Sequence, residues 1–266
     1  MSVRGLTRDV VRSFQRNGLA NFASAMAFRV ILALVPLLLL VFALMGFLDL
    51  EEIWRNDVAP EVKKNVSEAA YRLISDTVEH VLSQKQVWWL TAGLLLTVWE
   101  LSAATRVAMH AMDRIYGFPR RRRLLEMLPR SLWLGAVMGA CAIAAVAIVR
   151  FAPLLTGDLD AVLAVLSFLV RWLLAAVVLG VGVGVLVRFG AAPRQPLPWV
   201  SVGTGLVLAA WVLTSIAFGV YATYIASYGS VFGHLATFYV LLIYVYLIAN
   251  AFLVGIQLDA SVRERA

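Results

Sequence analysis

The chain has 266 residues, 62% of them apolar and 15% charged, with a formal net charge of +7 and a mean hydropathy of +0.85. Soluble domains run nearer half apolar and a quarter charged, and no globule of this length hides so much apolar surface from water. The composition excludes disordered, collagenous and disulfide-scaffold classes, and its single cysteine, Cys141, sits in an apolar run as a small hydrophobe.

The first element is a basic N-terminal segment, residues 1–22, in which Arg4, Arg8, Arg12 and Arg16 recur every four residues. That spacing lines one side of a short helix, with Leu6, Val10 and Phe14 on another. Either a helix on anionic headgroups or a solvated face fits it. Val30 to Leu48 is an uncharged run long enough to span a bilayer, broken only by Pro36, which membrane helices tolerate. Its length and the lack of a small-residue cleavage pattern make it an uncleaved anchor rather than a signal peptide.

Residues 49–86 follow as a loop with eight acidic and five basic residues. Val62, Val66, Ala69, Leu73, Thr77 and Val81 recur there at helical spacing and Pro60 suits a first turn, so the loop is expected to be an amphipathic helical cap. The remaining spans are expected at about 87–109, 132–149, 170–187, 199–221 and 235–258, with Leu159 to Leu169 left as an apolar interfacial segment and residues 259–266 as a tail. If the N-terminus is cytoplasmic, fourteen Lys and Arg lie in inside segments and seven in outside ones. That bias places both termini inside. The expected fold is therefore all-α: a polytopic membrane protein with six transmembrane helices, residues 23–258 forming the membrane domain and the cap lying extracytoplasmically.

Small residues at four-residue spacing, Ser131, Gly135 and Gly139 in the third span and Ala176, Gly180 and Gly184 in the fourth, suit close helix packing. Glu100 lies about 13 residues, on the order of 20 Å, inside the second span. A carboxylate at that depth is a site on a pathway or a hydrogen-bonded pin to another helix. Arg106 is turned some 120° from it, sharing a side with Ser102 and His110. Arg29, read as the start of the first span, can snorkel to headgroups, and Arg171 can do the same at the other surface. In the sixth span Tyr239, Tyr246, Asn250 and Gln257 fall within about 20° of one another around the helix, a polar stripe expected to face the bundle interior or a wet cavity. Thr204, Trp211 and Ser215 form a weaker one in the fifth. Arg120, Arg121, Arg122 and Arg123 directly follow a span, where holding topology and meeting anionic headgroups is the ordinary role. The scattered His80, His110 and His234, with no phosphate loop and no serine elbow, indicate neither a metal site nor hydrolytic chemistry.

Several motifs together resemble the YihY/BrkB family of bacterial inner-membrane proteins. They are Ala23 to Phe28 with Leu34 to Leu38, Trp99 with Arg106, Asp113 to Gly117, Arg188 and Pro193, Tyr221, Tyr228 to Gly233, Tyr244 to Tyr246, and Gly255 to Leu258. Gln257 stands where that family usually shows an acidic residue, and Phe28-Arg29 replaces a commonly aromatic pair. The resemblance implies six helices in the inner membrane; the family has carried a ribonuclease label, which nothing in these residues supports, and transport, including lipid handling, has been proposed for it. The leading expectation is a non-enzymatic transporter of an amphiphile or small solute, with membrane lipids as partners, no cofactor and no nucleic acid, and room for a homo-oligomer. The rival is an envelope assembly partner that docks through the cap.

Overall fold

The computed structural model describes residues 3–65, 68–84, 86–118, 124–156, 161–191, 201–221 and 231–263. Every regular element among them is helical. In chain order they are α1 (Val3–Arg16), α2 (Leu19–Phe47), α3 (Glu51–Ile53), a π-helical turn (Trp54–Val58), α4 (Ala59–Asn65), α5 (Glu68–Gln84), α6 (Val87–Ile115), α7 (Leu124–Thr156), α8 (Ala161–Gly190), α9 (Ser201–Val220) and α10 (Val231–Arg263).

Five helices are long and apolar enough to cross a membrane: Leu19–Phe47, Val87–Ile115, Leu125–Val149, Leu166–Gly190 and Phe238–Val262. The expected six-span count meets α9 as the exception, because its apolar stretch, Gly205–Val220, is shorter. Two boundaries also differ. The helix carrying the first span begins at Leu19, well before the uncharged run, because Leu19, Ala23 and Ala27 bury their side chains and extend the packed face backwards. The fourth is continuous from Ala161, so the segment to Leu169 is no separate interfacial piece; nothing in it breaks a helix, and Arg171 lies within the candidate span, its guanidinium 5.0 Å from the Phe168 ring centre.

The chain gathers into two compact units, one of Met1–Met26, Leu101–Leu213 and Leu247–Ala266, the other of Ala27–Glu100 and Thr214–Tyr246. In the first unit α7 lies along α6 and α8. A Cβ on Gly135 would come 3.2 Å from the Leu101 carbonyl carbon and the Ser102 nitrogen, so the glycine sets the closeness of α6 and α7. On α8 Gly182 meets α7, against Met138 and Cys141, a small residue outside the 176–180–184 row. Small residues wind all round this helix, and the partner selects which row is used.

In the second unit the segment after α2 is helical and packed. Trp54, Ala59, Val78 and Leu82 form its core, with Phe42 and Met45 of α2 against it and the Phe42 and Trp54 rings edge to face at 5.3 Å. Gly46 admits the end of α5, since a Cβ there would lie 2.6 Å from the Leu82 carbonyl oxygen. The expected buried row is corrected in phase. Val62 packs on this core and Val81 is buried as expected, but Leu73 and Thr77 between them are exposed, and Tyr71, Ile74, Val78 and Leu82 turn inward. The even helical spacing predicts one helix, whereas α4 and α5 are separate elements, with residues 66–67 outside the described residues. Lys63 of α4 lies 5.5 Å from the centre of the Tyr71 ring of α5.

Candidate functional site

Within the second unit, Gly93 of α6 faces Leu40 of α2 so closely that a Cβ would come 2.9 Å from the Leu40 nitrogen. From that contact the two helices run alongside each other to a charged pair: Arg29 Nη1 donates to Glu100 Oε2 at 3.2 Å. Because α2 starts at Leu19, Arg29 stands ten residues inside its helix, about 15 Å along it, directly before the uncharged run that opens at Val30. Its long stem reaches Glu100 instead of a helix end. The pair is unevenly covered, with 41% of the Arg29 side chain exposed against 18% of Glu100. Both residues lie in membrane-length helices, where an ionised group needs a partner.

Within the first unit a second polar group ties α6 to α7. Arg106 Nη1 donates to Ser102 Oγ at 2.6 Å and to Ser131 Oγ at 3.3 Å. The two serine oxygens are 2.8 Å apart and fully buried. Since the Ser131 hydroxyl gives its proton to the Leu128 carbonyl at 3.0 Å, Ser102 is the donor between the serines, and the bonds run in one direction from Arg106 to the α7 backbone. His110 Nδ1 lies 2.8 Å from the Arg106 carbonyl oxygen. Arg106 therefore shares its side with Ser102 and His110, and its guanidinium is engaged by protein.

The stripe on α10 is divided. In the second unit Tyr239 is 64% exposed, which removes the packed-interior alternative for that residue, while Tyr246 is half-buried. In the first unit Asn250 is half-buried; Gln257 is buried, accepting from Asn17 Nδ2 at 3.2 Å and donating to Ser261 at 3.4 Å. At about 1.5 Å per residue α10 is some 50 Å long, and residues at one azimuth meet different neighbours along such a length. In the fifth span Trp211 Nε1 donates to the Ile248 carbonyl at 2.9 Å, and Ser215 lies 2.9 Å from the Tyr244 hydroxyl; the Thr204 side chain and Arg120 to Arg123 lie outside the described residues.

Two residues to which the sequence assigns no site role are placed in contacts between helices. Tyr244 meets α9, stacking on Phe218 at 4.7 Å. Asp259 was assigned to the tail, yet it is buried and accepts the Gly203 backbone N–H at 2.7 Å. That N–H is one of the first-turn donors of α9 that no helical carbonyl reaches, so Asp259 caps α9 from 56 residues away. The signal available is an acid one helical turn beyond Gly255, within the last apolar stretch of the chain. Among the described residues no three His, Cys, Asp or Glu side chains gather as a metal-holding group.

The profile of the family described as virulence factor BrkB matches residues 10–266. The ribonuclease-like protein YfkH of Bacillus subtilis (strain 168) is 21% identical over 250 residues, covering 91% of this chain and 90% of that protein. Two UPF0761 membrane proteins of Stenotrophomonas maltophilia, from strains K279a and R551-3, are each 26% identical over 254 residues; the match takes in 93% of this chain and 58% of theirs. No solved structure matches the chain.

Proposed function

We propose, from the premise that the chain belongs to the virulence factor BrkB family, that it crosses the bacterial inner membrane six times with both termini cytoplasmic and moves an anionic amphiphile through that membrane. The carrying observation is the Arg29–Glu100 pair, set within two membrane-length helices with its arginine only half covered by protein. Charge at such depth costs enough that it persists where it serves a structure or a route. A pair that served only to pin α2 to α6 would be best shielded on both sides; here the guanidinium is open to a second acceptor, and a phosphate headgroup has the oxygens to become one. Asn250 and Tyr246 add polar side chains along the apolar length of α10, and Arg120 to Arg123 supply positive charge in the segment between α6 and α7 to attract the headgroup from the cytoplasmic side.

The test is flux of a fluorescently labelled anionic phospholipid across proteoliposomes carrying the native chain, Glu100→Gln, Arg29→Gln or Asn250→Leu. Native protein is expected to accelerate movement well above protein-free vesicles, with Arg29→Gln slowing it about tenfold or more, as loss of a charge-assisted bond predicts. Unchanged flux in all three variants would overturn the route.

A further inference from the structure

In helices of this protein threonine habitually returns its hydroxyl to the carbonyl four residues back: Thr77 to Leu73 at 2.7 Å, Thr91 to Val87 at 2.9 Å and Thr105 to Leu101 at 2.8 Å. Thr97 departs from the habit. It is 4% exposed, and its Oγ1 has no hydrogen-bond partner among the described residues. A buried hydroxyl left unpaired costs about 1–3 kcal/mol, and it sits ten residues into α6, near the middle of a helix of membrane length.

The register across the α2–α6 seam says what stands opposite. Gly93 faces Leu40, and antiparallel helices rise equally, so Thr97, four residues on, is level with Pro36, four residues back. Pro36 is buried and lies on the same side of α2 as Leu40. Proline has no N–H, so the Leu32 carbonyl, one turn back, has lost its usual helical donor at that level. Glu100 follows Thr97 by three residues, about 60° round and 4.5 Å along α6. One hydroxyl oxygen, one released carbonyl and one carboxylate thus lie within about one turn of one another along two adjacent helices, all within a single unit of the protein.

We propose that Thr97 Oγ1, the Leu32 carbonyl oxygen and the Glu100 carboxylate bind a small hard monovalent cation such as sodium, and that this binding releases Arg29 from Glu100. Oxygens of interrupted helices and a membrane carboxylate are the ligands such an ion takes in a low-dielectric setting. One carboxylate among the three ligands balances one positive charge, which disfavours a divalent ion. Charge balance then couples two events. With the cation on Glu100, the Arg29 guanidinium needs a new counter-charge, and an anionic headgroup supplies it, so cation and headgroup each favour the other's binding. This coupling rests on the transport reading above; the cation site itself does not.

The experiment uses the full chain in nanodiscs of phosphatidylcholine, with sodium chloride replacing choline chloride at constant ionic strength and tryptophan emission as readout, since Trp88, Trp89 and Trp99 all lie on α6. Native protein is expected to give a saturable response. Thr97→Val, which keeps the shape without the hydroxyl, and Pro36→Ala, which restores the missing N–H, should each weaken the apparent affinity about tenfold or more. A response absent from native protein, or unaltered in Thr97→Val, overturns the site and shows that water alone satisfies these oxygens. Adding phosphatidylglycerol should tighten the sodium response; equal affinity in both lipids overturns the release of Arg29. Lipid flux measured in parallel separates the two readings: a sodium response lost in Thr97→Val without any flux leaves the site and removes the route, whereas flux without a sodium response does the reverse.

Discussion

Gly117 ends α6 with φ of +71°, and its neighbours show why: the Phe118 N–H reaches back to the Asp113 carbonyl at 2.8 Å and the Gly117 N–H to Arg114 at 3.3 Å, the paired bonds of a Schellman ending. Gly18, with φ of +62°, closes α1 with its N–H on the Gln15 carbonyl, and Asp49, with φ of +56°, closes α2 in the Schellman way. At Gly117 a Cβ would meet nothing within 4 Å, so substitution there reports the left-handed backbone alone. Gly117→Ala is expected to cost about 1–2 kcal/mol, read as a lower midpoint in thermal unfolding of the detergent-solubilised chain; an unshifted midpoint would show that the α6 ending does not limit stability. At this scale the sequence showed which groups were anomalous but not whom they meet. Glu100 stands out by depth and charge alone. Its partner Arg29 did not, because the helix start was taken from the edge of an uncharged run, whereas alanines and a leucine carry the helix back to Leu19.

Between elements the decisive residues are small ones, and their effect depends on the partner's backbone. A Cβ on Gly203 of α9 would collide with the Gly255 carbonyl and the Asp259 carboxylate, and one on Gly255 of α10 would come 2.5 Å from Val207 Cγ2 and 2.7 Å from the Gly203 carbonyl. Gly205, two residues from Gly203 on the same helix, and Gly219 face open space. Gly203→Ala and Gly255→Ala are expected to destabilise the chain by about 1–3 kcal/mol through forced separation of the two helices. Gly205→Ala and Gly219→Ala are expected to be neutral or to gain about 0.5–1 kcal/mol of helix preference. Melting measured by the loss of a monodisperse peak in size-exclusion chromatography after heating distinguishes the pairs; identical behaviour of all four would mean that α9 and α10 do not pack as described. The sequence exposes such rows only as candidates. The Ser131–Gly135 row on α7 is legible and meets α6, while on α8 a further small residue, Gly182, meets α7, since small residues lie on several sides of that helix. The cap shows the same limit, as its helical spacing was visible while its phase depended on where α4 gives way to α5.

For the whole molecule the open quantity is whether the number of crossings is even or odd, and α9 decides it. Five helices satisfy the length and hydropathy of a span, and α9, 20 residues with a shorter apolar stretch of Gly205–Val220, falls below them. At about 1.5 Å per residue 20 residues reach about 30 Å, the thickness of the hydrocarbon core, with nothing to spare for tilt. The backbone at its start is not left bare: Asp259 takes the Gly203 N–H, which lowers the cost of placing that end at the membrane boundary. If α9 crosses, both termini lie on one side, in keeping with the fourteen-to-seven division of basic residues; if it does not, they lie on opposite sides. With Cys141→Ala removing the single native thiol, cysteines placed at Arg12 and Arg263 report the two ends to a membrane-impermeant maleimide. Both are expected to react in inside-out vesicles and to stay unlabelled in intact cells. Labelling of the two from opposite sides would reduce the crossings to five and remove the six-span arrangement, while the Arg29–Glu100 pair, lying within α2 and α6, would keep its geometry and need a different route.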